Sequence, residues 1–397
     1  MKYKTSLCFA VGLFVWSPSP LIFAENPDFG KHAMFGKTAK RAEPAEPVET
    51  KLPLKLDKGT RIGLVGNTLF DRMHGFGHLE ALIQQAHPGK QLVVRNLSWA
   101  ADEVDLQPRP ANFADAEQHL TAMHADVVLA AFGYNESFAG KEGLPAFRER
   151  VAKYLDGVKA KAYNGKSAAR VVLVSPIANE NVKGVSAADR NNDNIKAYLK
   201  VMREVAAEQK VGFVDVFTAT GKAMASLGND LTMNGCHLNE QGYQLFASTV
   251  FKQLFGKDAP KLDETVRAAV VEKNKQHFFR YRPLNTFYYT GGRNRSYGYL
   301  DFLPAMRNFD LMTANRDDRI HALAQGKKVP AKIDDSNVPK MPKSKVGRGA
   351  NQWMTPKKER EAFKVDPRFE VTLFASEEQF PDIACPIQMR WDSHGRM

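Results

Sequence analysis

The chain has 397 residues, 43% of them apolar and 25% charged, which is enough to build a core and excludes wholesale disorder. Its formal net charge of +12 comes with no nucleic-acid-binding motif, so nucleic acid is not an expected partner. Three cysteines are too few for a disulfide framework, and no Cys-x-x-Cys-His run offers a covalent haem site.

Residues 1–24 read as an export signal: Lys2 and Lys4, an apolar stretch from Leu7 to Trp16, and Ile22-Phe23-Ala24 before Glu25. That stretch is short for a membrane span. Cys8 sits inside it rather than at its end, which argues against a lipid anchor. A soluble exported protein, periplasmic or extracellular, is the expectation. Residues 25–58, rich in Pro, Lys, Glu and Ala without a sustained apolar face, are expected to form a flexible lead-in.

From 59 to 256 the pattern changes. Apolar runs at Ile62–Val65, Leu92–Leu97, Val127–Phe132, Val171–Ile177 and Val211–Phe217 alternate with helical stretches. Leu144, Phe147, Val151, Leu155 and Val158 recur at helical spacing, as do Ile195, Leu199, Met202 and Val205,. Strands alternating with helices predict a five-stranded parallel sheet covered on both faces. Sites in such sheets gather at the carboxyl ends of strands.

Residues 257–326 form an Arg/aromatic-rich extension, with Phe278-Phe279-Arg280-Tyr281-Arg282-Pro283 followed by Phe287-Tyr288-Tyr289-Thr290-Gly291-Gly292-Arg293. Packing on the parent domain, with the guanidinium groups in water, is favoured over a sugar-stacking surface. Residues 327–365 read as a basic linker. Between Lys327 and Arg360 there are 10 Lys/Arg against 3 Asp/Glu, and four prolines,. In 366–397, Phe369-Glu370-Val371-Thr372-Leu373-Phe374 alternates like a strand, and Ile387, Met389 and Trp391 suggest another.

Three turns carry candidate chemistry. Gly66-Asn67-Thr68-Leu69 places a hydroxyl where a strand gives way to a helix, Gly133-Tyr134-Asn135-Glu136 follows another apolar run, and Asn234-Gly235-Cys236-His237 closes the region. Each has a bland reading: Thr68 as a helix N-cap, Asn135 satisfying local backbone, His237 as a hydrogen-bonded buried histidine. Cys236 is expected to pack. His74 and His78 are spaced i,i+4 but lack a third ligand in a recognisable pattern, so neither a metal nor a cofactor is expected.

Together with Asn96-Leu97-Ser98-Trp99-Ala100-Ala101-Asp102, these turns resemble the SGNH (GDSL-like) hydrolases over residues 59–256. That family carries Gly-Asp-Ser, a glycine, Gly-x-Asn-Asp and Asp-x-x-His in the same order. The resemblance implies an α/β, flavodoxin-like three-layer fold with a C-terminal extension. It puts Thr68 in the nucleophile's place and His237 in the general base's. The N–H groups of Thr68 and Ala101 and the Asn135 amide would be oxyanion donors. A neutral hydroxyl needs a base to become a nucleophile, and the developing oxyanion needs preorganised donors.

The chain departs from the family at Thr68 for serine, Asn67 for aspartate, Ala101 for glycine and Asn234 for the aspartate that would orient His237. Ala101 keeps its N–H provided the backbone there does not require a positive φ. Glu136, Asp230 and Glu240 are the candidate substitutes for the missing acid. The expected activity is hydrolysis of short acyl esters, acetyl above all, on small molecules or acetylated carbohydrate. The alternative is a catalytically silent SGNH-fold module for binding or docking. The tail from Phe369 resembles the first strands of propeller-type, membrane-bound dehydrogenase domains of planctomycete-type haem proteins. That second resemblance implies a dehydrogenase/haem domain as a partner within a longer parent protein.

Overall fold

A computed structural model describes residues 35–226, 230–282, 299–341, 354–383 and 388–397. The leader, the aromatic run at 287–293, Cys385 and Ile387 lie outside the described residues. Residues up to Pro342 form one compact unit, and Lys343–Met397 form another.

Strands β1 (Arg61–Gly66), β2 (Val93–Asn96), β3 (Val127–Ala131), β4 (Arg170–Val174) and β5 (Gly212–Val214) build one parallel sheet in the order β2-β1-β3-β4-β5. The α/β expectation and the five runs agree with this sheet. Alternate residues serve opposite faces. Val127, Leu129, Val172 and Val174 pack with Leu79, Leu82 and Ile83 of α2 (His78–Ala86) and with Phe246, Val250 and Phe251 of a late helix, Glu240–Phe255. Val128, Ala130, Val171 and Leu173 pack with the opposite layer. That layer presents Phe147, Val151 and Leu155 from Leu144–Lys159, and Tyr198, Met202 and Val205 from Ala187–Glu208. Each such fully buried side chain contributes about 1.5–3 kcal/mol. A sheet buried on both faces explains why β3 reads Val-Val-Leu-Ala-Ala without a polar residue,. The strand order reverses between β1 and β3, so the crevice beyond their carboxyl ends is the switch point where such folds place ligands.

Three stretches differ from the expectations. Residues 35–58 do not form a loose lead-in. Phe35 bridges Phe113, Glu43–Pro44 pairs antiparallel with Lys161–Ala162, and the Thr50 hydroxyl accepts from Val171 N–H at 2.9 Å. Leu54 and Leu56 are buried in the core. The segment is a strap held by anchors scattered along the domain, a pattern with no helical or strand periodicity.

In the extension, two helices, Glu264–Tyr281 and Tyr299–Ala324, lie along the edge strand β2. Side chains there replace a sixth strand. His321 and Lys273 contact the carbonyls of Leu92 and Val94 at 2.8 and 3.0 Å, and His277 contacts that of Asn96 at 3.1 Å. Covering an edge this way removes its exposed acceptors. Lys273, fully buried, also pairs with Glu80 at 2.7 Å. Two of the extension's guanidinium groups are in ion pairs rather than left in water: Arg280 with Asp310 and Arg282 with Asp71.

The described residues of the second unit hold one short helix, Pro356–Ala362, capped by Thr355. Its described residues contain no strand at 369–374 or 388–391, contrary to the alternation of the sequence. A β-strand needs a partner for its backbone groups, and Phe369 and Phe374 remain exposed,.

Candidate active site

The chain leaves β1 at Gly66, where an added Cβ would lie 2.4 Å from the Ala131 carbonyl oxygen of β3. The next residue caps the helix. Asn67 Oδ1 accepts from Leu69 N–H at 3.1 Å and starts α1 (Thr68–Asp71),. Thr68 is therefore not the cap, and its hydroxyl is left for other contacts. Thr68 Oγ1 accepts from Ala101 N–H at 3.0 Å.

Ala101 sits third in a turn closed by Asp102 N–H to the Trp99 carbonyl at 3.2 Å. Its φ is +64°, so the backbone there does favour glycine. Alanine in that region costs about 1–2 kcal/mol. The turn is nevertheless held, because Asn135 Nδ2 donates to the Ala101 carbonyl at 2.8 Å.

Asn135 follows Gly133, which has φ +96° and no room for a Cβ beside Met202 Sδ. Glu136 ties this turn to the loop after β2. Its buried carboxylate accepts from Gly133 N–H and Val104 N–H, both at 2.9 Å. Burial raises its pKa, and the backbone donors oppose the rise.

The histidine loop is built on Glu180, a buried residue with no signal in the sequence. Its carboxylate accepts from Thr232 N–H at 2.7 Å, from the Thr232 hydroxyl at 2.6 Å and from Leu231 N–H at 3.0 Å. In that loop His237 Nδ1 lies 3.0 Å from Asn234 Nδ2 and 3.1 Å from Asn234 Oδ1. An aspartate could only accept from Nδ1–H, which leaves Nε2 as the free base. The asparagine can accept or donate there and so does not fix the tautomer.

The substitutes for the missing acid are engaged elsewhere or do not reach the ring. Glu136 is spent on backbone, and Glu240 pairs with His78 Nε2 at 2.7 Å. No carboxylate hydrogen-bonds the imidazole among the described residues, Asp230 included. The His237 pKa is lowered, first by burial and then by the charge of Arg72. Both effects keep the ring neutral, and so free to accept a proton, to lower pH.

Thr68, Ala101, Asn135 and His237 line one cleft of about 240 Å³ with Tyr134 and Cys236. Asn234 lies behind the imidazole on the exposed side. The hydroxyl and the imidazole are not hydrogen-bonded to each other, and contacts of this kind often close only around substrate. Cys236, expected to pack, instead lines the cleft with Sγ 3.4 Å from His237 Nδ1. Among the described residues no group of three or more His, Cys, Asp or Glu is arranged to hold a metal ion.

Residues 65–245 match the GDSL-like Lipase/Acylhydrolase family. No match is found among curated proteins. Among solved structures the chain is similar to an acetylxylan esterase from Geobacillus stearothermophilus, at 19% identity and a TM-score of 0.41, covering 52% of this chain and 98% of that one. It is also similar to a GDSL-like lipase from Parabacteroides merdae, at 17% identity and a TM-score of 0.40, covering 51% and 98%. The match to the GDSL-like lipase/acylhydrolase family is confined to residues 65–245, the stretch that holds the sheet and the cleft.

Proposed function

We propose that the protein is an exported esterase that removes short acyl groups, acetyl above all, with Thr68 as nucleophile and His237 as general base. One observation carries this reading. A turn hydroxyl, an amide, a left-handed backbone N–H and an imidazole, from four separate loops, meet in one cleft at the sheet's switch point. In the first step His237 Nε2 takes the Thr68 proton as Oγ1 attacks the ester carbonyl. The oxyanion accepts from the Thr68 N–H, from the Ala101 N–H as it turns away from the attacking Oγ1, and from the Asn135 Nδ2 hydrogen not committed to the Ala101 carbonyl. His237 then passes the proton to the leaving alcohol. Water, deprotonated by the same ring, releases the acid and restores Thr68.

The cleft's 240 Å³ falls below the roughly 300–1,000 Å³ of ordinary ligand pockets, which supports a short acyl group. Tyr134 lines it, and Phe138, 64% exposed, lies edge-on to Tyr134 at 5.5 Å. Such exposed aromatic surface supports a sugar as the alcohol component. The leader supports export. A second reading, a silent binding or docking module, is favoured by Asn234, which supplies no charge to the imidazole.

Turnover of a chromogenic acetyl ester by the parent, Thr68→Ala, Thr68→Ser and His237→Ala separates the two. The esterase reading requires activity lost in both alanine variants and kept or raised in Thr68→Ser. Background rates in the parent, with no gain from Thr68→Ser, would leave the silent module.

A further inference from the structure

Arg282, the residue that caps the helix Glu264–Tyr281, lies outside the matched segment yet reaches both turns that carry the backbone donors. Its Nη1 donates to Asp71 Oδ1 at 2.8 Å and to the Ser98 carbonyl at 3.3 Å. Its guanidinium carbon lies 3.9 Å from the centre of the Trp99 ring. Asp71 closes α1, the single helical turn that begins with Thr68. Ser98 and Trp99 lead into the turn whose third residue is Ala101. One planar cation therefore grips the Thr68 side and the Ala101 side at once.

Neighbouring contacts complete the grip. The Tyr281 hydroxyl donates to the Leu97 carbonyl at 2.7 Å. Arg109 pairs with both oxygens of Asp102 at 2.9 and 2.7 Å and also lies over Trp99, at 4.6 Å. The turn holding Ala101 is thus fixed at both ends. A lysine could not replace Arg282, because an ammonium can donate to two acceptors but has no planar face to lie on the indole of Trp99,.

We infer that Arg282 is a positioning residue: it sets the spacing of the Thr68 and Ala101 N–H groups and so tunes the oxyanion site from the C-terminal extension. This rests on the esterase reading. Donor placement matters there at the ångström scale, because the donors must meet the oxyanion rather than the ground-state carbonyl.

The test compares kcat and KM on the chromogenic acetyl ester for the parent, Arg282→Ala, Arg282→Lys and Arg316→Ala, with Tm for each. Arg316 is the control. It is buried in the same helix pair, held by Glu272 and Asp335, and touches neither turn. Arg282→Ala is expected to lose about 10- to 100-fold in kcat, with KM within about twofold. Arg282→Lys recovers little of this. Affinity for a small boronic acid, whose adduct uses the same donors, falls in step with kcat. Arg316→Ala loses Tm but keeps kcat.

A kcat loss in Arg316→Ala equal to that in Arg282→Ala, or an effect confined to KM, would overturn the inference. An active parent with undisturbed Arg282 variants sinks the inference alone. A parent no faster than Thr68→Ala sinks the esterase reading and this inference with it.

Discussion

Asn234→Asp restores the charge that the His237 site lacks. In the parent, Asn234 presents Oδ1 and Nδ2 to His237 Nδ1 at 3.1 and 3.0 Å, so the ring can be held in either tautomer and its cationic form gains no counter-charge. A carboxylate in the same place can only accept, which leaves Nε2 unprotonated and facing the cleft. A carboxylate and an imidazolium about 4 Å apart attract by about 1 kcal/mol in water and about 4 kcal/mol at an effective dielectric of 20. Position 234 is exposed, so the lower part of that range applies. About 1–2 kcal/mol of transition-state stabilisation is a gain of roughly 5- to 30-fold in kcat. That falls well short of the roughly 10⁴-fold effect of the acid in a buried triad. The same charge raises the His237 pKa, now lowered by burial and Arg72,. The protonated ring cannot act as a base, so activity rises with pH through that pKa, and its acid limb moves to higher pH in the variant. The assay is kcat on the chromogenic acetyl ester across pH, with Tm to show that the fold is intact. An alkaline plateau within about twofold of the parent and an unmoved limb would mean that Asn234 and His237 do not work as a pair.

Arg72→Ala removes a cation that lowers the His237 pKa; the acid limb of kcat/KM is expected to shift to higher pH, and an unmoved limb in the pH–rate profile would contradict this. Ala101→Gly keeps the N–H and relieves the positive φ. About 1 kcal/mol of relief against a similar gain in unfolded-chain entropy predicts a Tm nearly unchanged by calorimetry and a kcat kept, whereas a large fall in kcat would show that the methyl itself shapes the site. His119 and His277 are buried, and their pKa values are pushed well below the ordinary histidine value, first by burial and then by neighbouring arginines. The unfolded chain therefore binds more protons below about pH 6.5, so stability falls as pH drops through that value toward the lower folded pKa. Thermal melts at stepwise lower pH check this, and His277→Gln is expected to flatten the dependence.

The three central strands were legible because they are buried on both faces, and an apolar run such as Val127–Ala131 has no other place in a protein of this composition. The helices beside them were legible from stripes such as Phe147, Val151 and Leu155. Residues 35–58 were not, since a strap anchored at Phe35, Thr50, Leu54 and Leu56 buries single residues at unrelated places and leaves no period to read. The tail misled for the opposite reason. Phe369 to Phe374 has the alternation of a strand, but alternation only prepares a segment for pairing, and no partner strand lies among the described residues of its unit.

The same division runs through the site. Thr68, Ala101 and Asn135 could be picked out because each lies in a turn after a strand, and such turns all lie at one end of a parallel sheet; His237 comes shortly before the helix Glu240–Phe255. Even there, local pattern could not say which residue of Asn67-Thr68 caps α1. The asparagine does, and that frees the threonine hydroxyl for the cleft. What no local pattern could supply are the contacts that hold these turns in place. Glu180 reaches the histidine loop across 51 positions, and Arg282 reaches Asp71 across 211. Both act through buried or half-buried charge on backbone groups and on a partner carboxylate, a use that any solvated Glu or Arg in the sequence would equally suggest. Such residues emerge only when the fold shows which backbone donors and carbonyls would otherwise go unpaired. The loops of this site are short and irregular, so the parts hardest to read are the ones that decide how accurately its donors are aimed.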